Sequence, residues 1–108
     1  MKPERIQLKR TKGWKMPPNT VKVDRTTRFG NPFRIGVWQS FVNDADPSNV
    51  VVACPGDAYE VVDAFRWLAE QPSRTEMIQT HLRGKNLACW CKPGEPCHAD
   101  VLLEIANR

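Results

Sequence analysis

Three of the four cysteines and one of the two histidines fall within ten consecutive residues, Cys89-Trp90-Cys91-Lys92-Pro93-Gly94-Glu95-Pro96-Cys97-His98. Deprotonated thiols are nucleophiles and soft metal ligands, and imidazole titrates near neutrality. Three readings follow. As metal ligands, Cys89, Cys91, Cys97 and His98 supply the donor types of a zinc site. Their C-x-C-x5-C-H spacing is not that of CxxC knuckles. Cys89 and Cys91 share one face of a strand, while Cys97 and His98 diverge by roughly 100° at a helix start. One ion can therefore use two or three of the four, but not comfortably all of them. As reactive groups, Cys91 stands at a loop mouth and Cys97 at a helix N-terminus, where the helix dipole lowers a thiol pKa. His98 is then the candidate general acid or base, with Asp100 in the same first turn. As plain structure, Cys89 is a small core hydrophobe, His98 caps its helix and Asp100 complements the dipole. A Cys-x5-Arg phosphate loop would need arginine where Cys97 stands, which argues against phosphatase or sulfurtransferase chemistry. Cys54 and His81 stand alone and read as structural.

The elements around this segment must place it. Asn86–Cys91 reads as a buried-type strand, and a helix follows from about His98 to Ala106, burying Val101, Leu102 and Ile105. Upstream, Arg5–Lys9 and Thr20–Asp24 alternate polar and apolar residues as short strands, with Val21 and Val23 inward. The runs Val37–Val42 and Asn49–Cys54 flank a polar turn segment and read as a hairpin. Asp57 and Glu60 form a capping box for a helix reaching Gln71, with Val61, Val62, Phe65, Leu68 and Ala69 on one face. Pro72 stops it, Ser73 and Glu76 repeat the capping pattern, and a short helix ends at Gly84. The 108 residues suffice for one domain. The expectation is a small single α/β domain over 1–108: a short mixed sheet with helices packed on it and a Rossmann-like βαβ second half. In open α/β sheets the ligand crevice lies beyond the carboxyl ends of the strands. The Cys/His segment and the loop after Thr20–Asp24 would meet there.

Net charge is +4, but it divides unevenly. Residues 1–34 carry +8 and the remainder −4. An anionic partner for the N-terminal third is one reading, and a solvated basic face is the other. Arg10-Thr11-Lys12-Gly13-Trp14-Lys15 interleaves cations with one aromatic, which suits stacking on a base beside phosphates; otherwise Trp14 pins a loop to the core. Arg25-Thr26-Thr27-Arg28-Phe29-Gly30-Asn31-Pro32-Phe33 reads as a shaped binding loop. Gly30 permits positive φ, Pro32 holds Asn31 extended, and Arg28 and Asn31 project polar groups. The ligand-binding candidates are thus Arg10, Trp14, Arg28, Gly30, Asn31 and Trp90. No run approaches the ~18 apolar residues of a membrane span, and no secretory signal stands at the N-terminus. A cytoplasmic location with reduced thiols is expected.

Three separated motifs carry a resemblance: Arg10-x-x-Gly13-Trp14-x-Met16-Pro17, then Arg28-Phe29-Gly30-Asn31-Pro32-Phe33, then Leu87-Ala88-Cys89-Trp90-Cys91 continued by Cys97-His98-Ala99-Asp100-Val101-Leu102. Together they resemble the bacterial and phage family DUF4326, whose function is unknown. The resemblance implies a compact α/β fold with the Gly30–Phe33 and Cys89–His98 segments as a joint site, and it makes residues 37–56 a hairpin insertion. The ending also looks like that of DUF488, which has arginine after the Cys-His pair where this chain has Ala99. The functional expectation is a protein that binds or processes a nucleotide, nucleoside or nucleic acid, with glycosidic-bond or base chemistry as the reaction class. The alternatives are a non-catalytic zinc-stabilised nucleic-acid-binding module, or a phage-type protein that blocks a host partner. Zinc is the one cofactor the residue types suggest, and the sequence leaves oligomeric state open.

Overall fold

The computed structural model describes residues 2–43, 46, 48 and 50–108. Five strands and three helices run in the order β1 (Arg5–Gln7), β2 (Thr20–Lys22), β3 (Gln39–Val42), β4 (Val50–Ala53), α1 (Ala58–Ala69), α2 (Pro72–Leu82), β5 (Asn86–Cys89) and α3 (His98–Ala106). The α/β class stands. Parallel and antiparallel pairing are divided between two sheets. One is a parallel sheet in the order β1-β5-β2; the other is the antiparallel hairpin β3-β4. The last strand in the sequence lies between the first two, so the helices α1 and α2 belong to the crossover from β2 to β5.

β5 is the centre of the core. Leu87, Ala88 and Cys89 are buried, as a strand paired on both edges requires. Val23, just beyond β2, is fully buried and donates its N–H to the Ala88 carbonyl, and Leu8 donates likewise to Cys89. Pairing thus continues past the strand ends and brings three chain segments side by side at the carboxyl edge. α3 packs against β5 and β1, α1 and α2 pack on α3, and the helices contribute Val61, Phe65, Leu68, Ile78, Leu82, Val101, Leu102 and Ile105 to one core with the sheet.

Local chemistry explains the helix ends. The Asp57 carboxylate accepts from the Glu60 N–H at 2.9 Å, and the Glu60 carboxylate reaches back to the Gly56 N–H. Pro72 does stop α1, but it also opens α2, where its fixed φ fits and its missing N–H costs nothing. The cap is therefore Gln71 and not Ser73. Gly84, with φ of 76°, supplies the left-handed turn that leads into β5. The expected hairpin forms with Ser40 opposite Val52 and Val42 opposite Val50. Asp44, Ala45 and Pro47 of its turn, and Asn49 at the start of the second run, lie outside the described residues.

Candidate functional site

The carboxyl ends of the three parallel strands converge on the amino end of α3. Cys89 closes β5, Trp90 and Cys91 follow it, and Cys97 is the N-cap of α3. The sulfurs of Cys89, Cys91 and Cys97 all lie within 4.8 Å of one another. Cys89 and Cys97 are buried with their sulfurs 3.1 Å apart, and Cys91 is half-buried. These three thiols could hold a metal ion. Their protons are shared unevenly. The Cys97 S–H donates to Cys89 and holds the Cys89 pKa down to about 6, although burial opposes this. Cys97 is pushed far up by the same bond, and Cys91 is raised by burial. One negative charge on Cys89 is what the cluster accommodates most readily.

His98 is buried, and its Nε2 meets the Val23 carbonyl at 2.5 Å. A carbonyl only accepts, so Nε2 carries the proton and Nδ1 is the free lone pair. Nδ1 lies 3.9 Å from the Cys97 sulfur, and the ring packs edge-on against Phe65 with centroids 5.3 Å apart. Burial lowers the His98 pKa, so the imidazole stays neutral at neutral pH. Its free nitrogen faces a thiol of its own chain.

Beside the thiols lies a hollow of about 260 Å³ lined by Asp24, Arg25, Thr26, Cys89, Trp90, Cys91 and His98. Asp24 is buried and organises one wall. Its carboxylate accepts the Trp90 indole N–H at 2.9 Å and the backbone N–H and hydroxyl of Thr26. Burial alone would raise its pKa, but these donors outweigh burial and keep it ionised. The Trp90 ring is thereby fixed, and the Arg10 guanidinium stacks 4.9 Å from its centroid. Arg25 donates to the Asn31 and Phe33 carbonyls, which fixes it at the same wall. A second hollow of about 310 Å³ lies on the other flank of Cys91, lined by Arg5, Gln7, Pro93, Gly94, Glu95 and Asp100.

The loop after β2 and the Cys/His segment therefore do meet, through residues 24–26. The residues singled out in that loop sit elsewhere. Asn31 is buried, its Nδ2 donating to the Val61 carbonyl and its Oδ1 accepting the Phe33 N–H at 2.9 Å. It ties the loop to α1 and offers no free edge. Gly30 does not adopt positive φ; a Cβ there would lie 2.5 Å from the Asp24 carbonyl oxygen and 2.6 Å from the Arg25 Cα. Glycine is required by close backbone approach instead. Arg28 stacks on Phe29 and lines a separate hollow with Ser73, Arg74 and Met77. Asp100 pairs with Arg5 at 2.9 Å, and the same guanidinium donates to the Lys92 and Glu95 carbonyls, so the pair shapes the loop between Cys91 and Cys97. Trp14 is half-buried and does not line the hollow. Asp24, Arg25 and Arg5 were not among the candidate site residues, although Arg25 opens the loop singled out and Asp24 ends the expected strand Thr20–Asp24. Their place at the carboxyl end of a strand expected to face the ligand was the signal for Asp24 and Arg25.

A curated protein of Enterobacteria phage T4, described as an uncharacterised 12.4 kDa protein in the nrdA-td intergenic region, is 47% identical over 36 residues. The similarity covers 31% of this chain and 32% of the phage protein, so the chain spans about a third of that relative's length. No solved structure matches the chain. The family model of DUF4326, a domain of unknown function, matches residues 6–108, and the chain belongs to that family.

Proposed function

We propose that this protein binds a nucleoside or nucleotide in the hollow at the carboxyl edge of the parallel sheet, and that the adjoining thiols serve chemistry at its base or glycosidic bond. The observation that carries this reading is the composition of one wall. A fixed indole face, a fixed guanidinium and a threonine hydroxyl adjoin a half-buried thiol in a space of about 260 Å³. An indole stacks on a planar base, and a guanidinium pairs with phosphate. That volume suits one nucleoside better than a strand. Arg10, with its guanidinium 4.9 Å from the Trp90 ring centroid, adds a second cation against the same indole. No described helix is long and apolar enough to cross a membrane. A reducing cytoplasm would keep the thiols free for this role.

Equilibrium dialysis against the four ribonucleoside monophosphates, their nucleosides and a single-stranded oligonucleotide tests the reading. Saturable binding of a mononucleotide with a shallow salt dependence supports it. Binding of the oligonucleotide alone, falling steeply with salt, replaces it with a nucleic-acid-binding role. The absence of saturable binding by any of them refutes it.

The three sulfurs within 4.8 Å favour a second reading, in which the thiols are ligands instead of free reactive groups: zinc held by Cys89, Cys91 and Cys97. In tetrahedral zinc thiolates the sulfurs stand about 3.8 Å apart. The Cys89–Cys97 pair at 3.1 Å would open by a fraction of an ångström to admit the ion. Elemental analysis of the purified protein tests it, with one zinc per chain expected.

A further inference from the structure

Among the described residues, the side chains whose metal-ligating atoms all lie within 4.8 Å of one another are Cys89, Cys91 and Cys97. The neighbouring His98 is not a member of that set: its Nε2 donates to the Val23 carbonyl, its ring packs on Phe65, and its Nδ1, with the lone pair free, lies 3.9 Å from the Cys97 sulfur on the wall of the same hollow. Zinc takes four ligands, and sites with three protein ligands leave the fourth position to water or substrate. Cys89 and Cys97 are both buried and Cys91 is half-buried; Cys89 and Cys91 line the 260 Å³ hollow beside Trp90 and Arg25.

Resting on the zinc reading above, we propose that the ion keeps its fourth coordination position for an exchangeable ligand from this hollow, either water or a ring nitrogen of a heterocyclic base. Three thiolates on a dication leave a net charge of −1. The amino end of α3 at Cys97 and the guanidinium of Arg25 beside Cys91 face that charge. The cradle is also held in shape. Arg5 bonds the Lys92 and Glu95 carbonyls at 2.9 Å each, pinning the loop that joins two of the ligands. Each sulfur that binds the ion would replace one of its water ligands and give up to solvent any proton it carries, and a ring nitrogen at the fourth position would replace the remaining water. A base stacked on Trp90 would then have the metal within the same hollow.

Cobalt(II) loaded into the metal-free protein reports on both claims by its visible and near-ultraviolet spectrum, with imidazole as the probe for the fourth position. Thiolate-to-cobalt charge transfer at one equivalent, with ligand-field bands that shift saturably on adding imidazole, is the expected result. Adenosine monophosphate should compete with that shift. Cys91→Ser, at a half-buried position, should weaken cobalt binding at least tenfold with the circular dichroism unchanged. Absence of charge transfer overturns the zinc reading and this proposal together. Charge transfer with bands indifferent to imidazole leaves zinc in place and overturns the exchangeable position. A Cys91→Ser protein that binds cobalt with the parent spectrum also overturns the proposal.

Discussion

Gly30→Ala tests how the loop after β2 shapes the hollow. The added Cβ would lie 2.5 Å from the Asp24 carbonyl oxygen and 2.6 Å from the Arg25 Cα. Both neighbours are backbone, so no side-chain rotation relieves the overlap. Ordinary contact distance returns only if the two chain segments part by roughly 1 Å. Asp24 and Arg25 are the residues that must move. Asp24 holds the Trp90 indole at 2.9 Å, and Arg25 holds the Phe33 carbonyl at 2.9 Å, so the displacement reaches the wall of the hollow directly. Overpacking of this kind costs about 1–3 kcal/mol. A cost near 2 kcal/mol lowers the melting temperature of a domain of this size by about 10 °C. Nucleotide affinity should fall with it, because the indole and guanidinium lose their fixed positions. Thermal unfolding followed by circular dichroism, together with dialysis binding at a temperature where both proteins are folded, reads the two effects. A Gly30→Ala protein with the parent melting temperature and affinity would refute both the close approach and its link to the site.

Asn31→Ala should cost about 1–3 kcal/mol in urea unfolding, because it leaves the buried Phe33 N–H without its acceptor and frees the loop from α1; a change under about 0.5 kcal/mol would contradict that role. Arg28→Ala should leave nucleotide affinity unchanged, since Arg28 lines a different hollow, whereas Arg25→Ala should lower it about 10- to 100-fold by loss of a charged hydrogen-bond donor. Equal losses for the two arginines would contradict the placement. In the metal-free protein, stability should decline as pH falls from 9 to 5. The Cys89 thiolate, with a folded pKa of about 6 against an ordinary thiol value of 9.0, contributes stability that is fully present above 9 and lost as pH falls through 6. His98, whose pKa burial lowers, stays neutral while the unfolded chain takes up a proton below about 6.5, so it acts in the same direction. Cys97, raised, opposes only at alkaline pH. Urea midpoints independent of pH across this range would contradict the thiol and imidazole environments described.

Much of the fold was legible because it rests on local signals. Asp57, Glu60 and the apolar face from Val61 to Ala69 specify α1 without reference to the rest of the chain. The β-branched runs that make β3 and β4 are equally local. Pro72 was read by half: proline ends one helix and begins the next for the same reason, its fixed φ and missing N–H. The strand order β1-β5-β2 depends on pairings more than sixty residues apart, which no local pattern encodes. At the site, the gathering of Cys89, Cys91 and Cys97 followed from strand alternation and the helix start. The direction of the loop side chains did not. Asn31 and Arg25 are polar residues of one loop, and composition alone cannot say that the amide turns inward to Val61 while the guanidinium lines the hollow.

The chain has four tryptophans, and Trp90 alone among them lines the hollow beside the thiols. Indole N–H resonances in ¹H–¹⁵N correlation spectra, followed through a titration with adenosine monophosphate, therefore report on the central claim residue by residue. A saturable shift of the Trp90 indole, hydrogen-bonded to Asp24, is expected, while the exposed Trp38, just before β3, stays in place. A titration that leaves Trp90 unmoved, or that moves Trp38 instead, would contradict it.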